Sequence, residues 1–157
     1  MGGNVRRLGH MAETIPIGSD HAGLELKNRL VATLREMGYA PDDVGTYTAD
    51  STDYPDYAHP VADRVSRGAA ARGILLCGTG LGMSYAANRH HGVRAAVAWT
   101  PEVARLAREH NDANVLVLPA RFLGAEEGVA ILKAWLDTPY AGGRHDRRIA
   151  KIETEEV

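Results

Sequence analysis

Apolar and polar positions follow one another along this chain in blocks that predict strands and helices in turn. Short, mostly apolar runs bounded by Gly, Pro or polar residues are typical of strands buried on both faces of a parallel sheet. Four runs have this pattern: TIPIGS, RGILLCG, GVRAAVAW and ANVLVLP. A fifth segment, YAPDDVG, has room for a short strand at most.

Helical periodicity fills the segments between these strands. Leu26, Leu30, Leu34 and Met37 fall on one helical face, and Gly38 is a natural stop for that helix. Further helices are predicted over residues 58–70, within LGMSYAANR, over TPEVARLAREHN with Thr100 as its N-cap, over residues 124–136, and in the tail AGGRHDRRIAKIETEEV.

This order of elements predicts the fold class. Strands that alternate with helices through short loops form a three-layer α/β/α sandwich around a mostly parallel, Rossmann-like, five-stranded sheet. A chain of 157 residues has the length of one domain. We expect the domain over residues 14–157, with residues 1–13 as a flexible leader or an expression remnant, and a helical tail after the last strand. Met83, Tyr85 and Trp135 are expected to pack in the interior.

The composition and charge of the chain limit the classes of partner that we expect. A net charge of −2 gives no general electrostatic reason to bind nucleic acid or an anionic membrane, and no apolar run is long enough to span one. With one cysteine the chain forms no internal disulfide. We therefore expect a cytoplasmic protein without nucleic-acid or membrane partners.

Ligands of open parallel sheets bind at the carboxyl ends of the strands. The polar residues that follow each strand are therefore expected to meet at one edge of the sheet. They are Asp20 and His21, the loop 46–57, residues 77–84, Trp99 and Thr100, and residues 119–121.

The stretch LCGTGLG holds the single cysteine, Cys77, beside Gly78, Gly80 and Gly82. Its spacing departs from the Gly-x-Gly-x-x-Gly of dinucleotide sites, and no acidic residue ends the next strand. Backbone N–H groups of such a loop can instead cradle an oxyanion and stabilise a thiolate at Cys77. A buried, inert thiol beside a tight turn is the alternative.

The other polar clusters each allow two interpretations. Asp20 either caps the helix after it or takes part in catalysis. His110 and Asn111 either end a helix or belong to the site. Arg144 and Arg148 either form a solvated surface or bind a phosphate, because arginine donates paired, charge-assisted hydrogen bonds.

Five motifs together resemble a known family. GSDHAGLELK, TDYPDYA, CGTGLGMSYAANR, REHNDANVL and GGRHDRRI are similar, in this order, to the motifs of ribose-5-phosphate isomerase B. That family also includes galactose-6-phosphate isomerase subunits. The resemblance extends over residues 15–152.

The resemblance implies a cofactor-free aldose–ketose isomerisation through a cis-enediolate, with no metal. It makes Cys77 the base and Thr79 its neighbour that passes protons between sugar oxygens. His110, with Asp20, is implied to open the sugar ring. The enediolate would be stabilised by Gly78, Gly80, Gly82 and Asn111, and the substrate and its phosphate bound by His21, Asp53, Tyr54, Arg121, Arg144 and Arg148.

The resemblance also implies a homodimer with shared active sites, or a tetramer built from it, in which REHND and the basic tail reach the cysteine loop of the partner. Ribose 5-phosphate and ribulose 5-phosphate are the expected pair. Allose 6-phosphate, galactose 6-phosphate and a tetrulose 4-phosphate stay open, since Trp99 leaves the length of the sugar undecided. A noncatalytic sugar-phosphate-binding subunit and a nucleotide-binding protein are the rivals from other classes.

Overall fold

The computed structural model describes residues 7–8 and 11–154. A two-residue antiparallel pair joins β1 (Arg7–Leu8) to β2 (Met11–Ala12) ahead of the main sheet. The leader predicted over residues 1–13 otherwise falls largely on residues 1–6 and 9–10, which lie outside the described residues, as do residues 155–157 at the end of the tail. The division into leader and domain therefore stays a prediction.

A five-stranded sheet forms the centre of the protein. Its strands are β3 (Thr14–Ser19), β4 (Ala40–Asp43), β5 (Gly73–Cys77), β6 (Ala95–Val97) and β7 (Val115–Pro119). They lie in the order β4-β3-β5-β7-β6, and every neighbouring pair is parallel. The predicted α/β fold is confirmed, and the carboxyl ends of β3, β5 and β7 meet at one edge of the sheet.

Helices cover both faces of the sheet. They are α1 (Leu24–Glu36), α2 (Pro55–Ser66), α3 (Leu81–Ala87), α4 (Pro101–Asn111), α5 (Ala125–Asp137) and α6 (Arg144–Ala150), with short 3-10 turns at His21–Gly23 and Ala120–Phe122. One apolar cluster packs α1 and α5 on one face, and a second packs α2 and α3 on the other. These are the three predicted layers.

Strand alternation decides on which side of the sheet the cysteine lies. Ile74 and Leu76 of β5 belong to the cluster under α1 and α5, whereas Leu75 and Cys77 belong to the cluster under α2 and α3. The side chain of Cys77 therefore enters the α2–α3 layer, at the buried end of the central strand.

The second helix differs from its predicted bounds. It covers residues 55–66 instead of 58–70, because Pro55 occupies its first turn, where the missing N–H costs nothing. At its other end Gly68 has a φ of +77° and turns the chain away. The earlier start makes Tyr54 the N-cap residue, next to the glycine loop.

Three other expectations are corrected. Strand β6 lies at the sheet edge, so its residues are half-buried where a strand buried on both faces was expected. In the part of the tail that the structure describes, the helix covers seven residues, Arg144–Ala150. Trp135 and Met83 are buried as predicted, but Tyr85 is 62% exposed on α3.

Within the described residues, no helix is both long and apolar enough to cross a membrane.

Candidate active site

The turn after β3 is fastened to the end of β5. The backbone N–H of Asp20 donates to the carbonyl of Leu76 at 3.3 Å. One oxygen of the Asp20 carboxylate accepts from the N–H groups of Ala22, at 3.0 Å, and Gly23, at 3.3 Å, so the capping role is present. A β-carbon on Gly23 would lie 2.8 Å from that of Leu76. Asp20 and His21 are thereby held beside the residue that precedes Cys77.

The glycine loop turns sharply from β5 into α3. Gly80 has a φ of +78°, and a β-carbon there would lie 3.1 Å from a methyl carbon of Val97. The hydroxyl of Thr79 accepts from the N–H of Leu81 at 3.2 Å and closes the turn. Cys77 is 4% exposed at its start. The loop thus leads from a nearly buried thiol directly into the first turn of a helix.

Tyr54 covers this loop. A β-carbon at Gly82 would lie 2.6 Å from Cζ of Tyr54, so the tyrosine ring fills the space that a side chain at Gly82 would need. Asp53 lies just before it, exposed, with its carbonyl accepting from the N–H of Asp56 at 3.2 Å. The start of α2 therefore contacts the start of α3 above the end of β5.

Arg121 contacts the other side of the loop. Its N–H donates to the carbonyl of Gly78 at 3.0 Å, and a β-carbon at Gly78 would lie 3.0 Å from Cδ and Nε of Arg121. The absence of a side chain at Gly78 lets the arginine side chain lie along the backbone next to Cys77. This places a permanent positive charge beside the glycine loop.

Two interactions in this region involve residues to which the sequence analysis gave no role. Thr52, which lies within the motif TDYPDYA, forms two reciprocal hydrogen bonds with His21. Lys27, in the motif GSDHAGLELK, is fully buried and donates to both carboxylate oxygens of Asp43, at 2.6 and 2.7 Å. A lysine on the apolar face of a predicted helix was the available signal for the second pair.

His110 and the basic tail lie elsewhere in the chain. His110 and Asn111 end α4, which runs antiparallel to the strands and stops near the amino end of β7. The N–H of Ala141 donates to the carbonyl of Glu109 at 3.0 Å and ties the segment before α6 to this end of α4. The length of β7, about 16 Å at ~3.3 Å per residue, separates this group from the level of Cys77.

Within the tail group two imidazoles are stacked. The rings of His110 and His145 are 4.6 Å apart between centroids and 19° from parallel. Burial, together with the positive charges of Arg144, His110 and Arg148, lowers the pKa of His145. Burial and a 2.7 Å hydrogen bond to Asp146 raise the pKa of Tyr140 to about 12, so its hydroxyl stays protonated and holds the start of α6. Arg144 and Arg148 themselves are exposed.

The predicted site residues thus form two groups in one chain. In the described residues no cluster of three or more His, Cys, Asp or Glu side chains is arranged to hold a metal ion. One group lies at the carboxyl edge of the sheet and contains Asp20, His21, Asp53, Tyr54, Cys77, Gly78, Thr79, Gly80, Gly82 and Arg121. The other lies at the opposite edge and contains His110, Asn111, Arg144 and Arg148.

Curated proteins and solved structures match nearly the whole chain. The chain is 47% identical over 138 residues to ribose-5-phosphate isomerase B of Escherichia coli K12, covering 88% of this chain and 93% of that protein. A crystal structure of a ribose 5-phosphate isomerase from Thermotoga maritima is 54% identical, with a TM-score of 0.87, and covers 89% of this chain and 97% of that one.

A third relative was solved with a ligand. It is ribose-5-phosphate isomerase B from Mycoplasma genitalium with bound ribulose-5-phosphate, 43% identical with a TM-score of 0.87, covering 91% of this chain and 95% of that one. The family model described as Ribose/Galactose Isomerase matches residues 15–152, the range over which the resemblance was drawn from the sequence. The resemblance drawn from those motifs is confirmed, and the chain belongs to the ribose/galactose isomerase family.

Proposed function

We propose that this protein interconverts ribose 5-phosphate and ribulose 5-phosphate through a cis-enediolate, with Cys77 as the base and without a metal or organic cofactor. The observation that carries the proposal is the placement of Cys77, the only thiol, at the nearly buried end of the central strand and at the entrance of the glycine loop. Relatives named ribose-5-phosphate isomerase B support this choice of substrate.

The chemistry follows from what a carbon acid needs. The Cys77 thiolate removes the proton from C2 of the open-chain aldose and returns it to C1, giving the ketose. Negative charge develops on the neighbouring oxygens, where backbone N–H groups of residues 78–82 and the amide of Asn111 stabilise it. The hydroxyl of Thr79 moves a proton between the two sugar oxygens.

The remaining residues bind and prepare the substrate. His110, assisted by Asp20, moves the proton that opens the furanose ring. His21, Arg121, Arg144 and Arg148 bind the phosphate, and Asp53 and Tyr54 cover the sugar. Three arginines suit a phosphate monoester, since each donates charge-assisted hydrogen bonds to its oxygens.

One chain does not bring these residues together. A five-carbon sugar phosphate extends about 8 Å from C1 to phosphorus, with bonds of ~1.5 Å, and so reaches only half of the distance between the two groups. We propose that a homodimer completes each site, with His110, Asn111 and α6 of one subunit at the cysteine loop of the other. A tetramer of two such dimers and a cytoplasmic location remain predictions.

The test is an assay of purified protein. Ribose 5-phosphate is supplied with EDTA present, and ribulose 5-phosphate is measured for the wild type and for Cys77→Ala. We expect turnover by the wild type and a loss of several orders of magnitude in the variant, which still binds the substrate in a thermal-shift assay. Equal activity of both proteins would overturn the role of Cys77.

The same turnover and thermal-shift assays, extended to other sugars and ligands, separate the alternatives. Activity on hexose 6-phosphates or a tetrulose 4-phosphate in place of the pentose phosphates would change the substrate and keep the reaction class. Binding of ribose 5-phosphate without turnover on any of these sugars would indicate a noncatalytic subunit. Stabilisation by NAD or ATP, with none by ribose 5-phosphate, would indicate a nucleotide-binding protein.

A further inference from the structure

Thr52 and His21 are joined by two reciprocal hydrogen bonds although they are 31 positions apart in the sequence. The backbone N–H of His21 donates to the Thr52 hydroxyl at 3.2 Å, and the backbone N–H of Thr52 donates to Nδ1 of His21 at 3.1 Å. Both residues are half-buried. Thr52 lies in the loop between β4 and α2, residues 44–54, which we call the covering loop, and it holds both the main chain and the ring of His21.

The second of these bonds decides where the ring of His21 carries its proton. A backbone N–H can only donate, so Nδ1 has to offer its lone pair. In a neutral imidazole one nitrogen is the donor and the other the acceptor, so the proton is on Nε2. Because the two nitrogens lie on different sides of the ring, the Nε2–H is directed away from Thr52.

The segments that carry Thr52 and His21 are themselves fixed by other contacts. The loop leaves the sheet at Thr46, whose N–H donates to the carbonyl of Ser19 at 2.7 Å, and it ends at Tyr54 against Gly82. His21 follows Asp20, which caps the turn at the end of β3. The ring of His21 is therefore held between two anchored segments, which fix its orientation.

We propose that Thr52 is a positioning residue that keeps the proton of His21 on Nε2 and presents this N–H as a hydrogen-bond donor to the phosphate oxygens of the substrate. The inference rests on the proposed function, which places His21 at the phosphate. In this arrangement the arginines supply positive charge to the phosphate, and His21 donates one hydrogen bond in a fixed direction, because its ring is held in one orientation.

Nitrogen NMR of the histidine rings in the wild-type protein tests the first half. With the His21 signals assigned by comparison with His21→Gln, we expect Nδ1 to be unprotonated and Nε2 to carry the proton. A proton on Nδ1 would overturn the proposal. This measurement does not depend on turnover. A wild type that fails to isomerise ribose 5-phosphate would refute the proposed function, but the NMR spectra of the same protein would still show which ring nitrogen of His21 carries the proton.

Kinetics of three variants test the second half. Thr52→Val removes the hydroxyl that holds the His21 main chain and keeps the shape of the side chain; we expect KM for ribose 5-phosphate to rise about tenfold with kcat within about twofold. Thr52→Ser should restore the wild-type KM. Thr48→Val, in the same loop, removes a hydroxyl whose partner is the exposed Asp50 and should change neither constant. A wild-type KM in Thr52→Val, or a fall confined to kcat, would contradict the positioning role.

Discussion

The ring of Tyr54 occupies the place of the missing side chain of Gly82, with its Cζ 2.6 Å from the position that a β-carbon would take. This contact joins the first turn of α3 to the N-cap residue of α2. The glycine is required here by this close approach of an aromatic ring and not by the backbone, because its φ is not positive. A methyl group at this one position therefore displaces the ring while the helix stays intact.

Gly82→Ala is predicted to separate stability from activity. Alanine favours the helix over glycine by roughly 1 kcal/mol, so the free energy of unfolding should not fall. The ring of Tyr54, 39% exposed, has room to swing outward, which would remove the cover that we propose for the sugar. We expect kcat/KM for ribose 5-phosphate to fall about tenfold, equivalent to ~1.4 kcal/mol, in steady-state kinetics alongside a urea melt.

The control is a double-mutant cycle with Tyr54→Ala. If the methyl group acts through the ring, Gly82→Ala should have little further effect once the ring is gone. Additive losses of kcat/KM in the double variant would show that residue 82 acts by another route.

Separation of Cys77 from His110 within the chain predicts complementation between two inactive variants. Cys77→Ala and His110→Ala should each be nearly inactive alone. In the proposed homodimer, unfolding the two variants together and refolding the mixture would make half of the dimers mixed, and one of the two sites in each mixed dimer would be intact. We expect about a quarter of the wild-type activity to return.

A mixture of Cys77→Ala with Cys77→Ser, treated in the same way, is the control and should stay inactive. Activity no higher than this control would mean that the two residues do not meet across an interface. Activity of the wild type at concentrations where light scattering finds only monomer would count equally against a shared site.

Much of this arrangement could be predicted from the sequence. Continuous apolar runs identified β3, β5 and β7, and the parallel order they imply placed Asp20, Cys77 and Arg121 at one edge of the sheet. These strands were predictable because a strand that is buried on both faces is apolar at nearly every position, which produces a continuous apolar run in the sequence.

Other features depend on contacts that leave no periodic trace. The exposure of Tyr85 follows from which face of the short helix α3 turns outward, and β6 is half-buried because of its place at the sheet edge. The two hydrogen bonds between Thr52 and His21 each pair a backbone N–H of one loop with a side-chain atom of the other, and no pattern in the sequence reveals that these two loops meet. Long-range polar contacts of this kind are apparent only once the loops are positioned.

The ion pair between the buried Lys27 and the partly exposed Asp43 predicts a strong effect on stability. The Lys27 side chain is completely buried, and Asp43 also accepts from the N–H of Gly45 at 2.9 Å, at the start of the covering loop. Asp43→Asn leaves a buried ammonium group without its counter-charge. We expect the free energy of unfolding to fall by about 3–5 kcal/mol in a urea titration.

An exposed ion pair supplies the matched control. Arg29 and Glu126 are 2.8 Å apart but 45% and 83% exposed, so Glu126→Gln should cost less than about 1 kcal/mol. Equal losses in Asp43→Asn and Glu126→Gln would show that burial of Lys27 does not govern the pair.

The pair of His59 and His90 predicts a loss of stability in mild acid. Nδ1 of His59 and Nε2 of His90 are 2.7 Å apart, between α2 and the turn after α3. Burial and the charge of His59 lower the pKa of His90 below its ordinary value of 6.5, against a smaller opposite effect of Asp63. Well above pH 6.5, His90 is neutral in both the folded and the unfolded chain, and its contribution to stability is fully present.

As the pH falls from 6.5 through the lower pKa of the folded protein, the unfolded chain binds the proton first, so this contribution is lost. His90→Gln keeps a hydrogen-bonding side chain and removes the titration. We therefore expect the free energy of unfolding, measured with urea at about pH 7.5 and about pH 5.5, to fall less in His90→Gln than in the wild type. Burial lowers the pKa of His145 as well, so part of the loss persists in this variant. Equal losses in the two proteins would mean that His90 takes up its proton in the folded state as readily as in the unfolded chain.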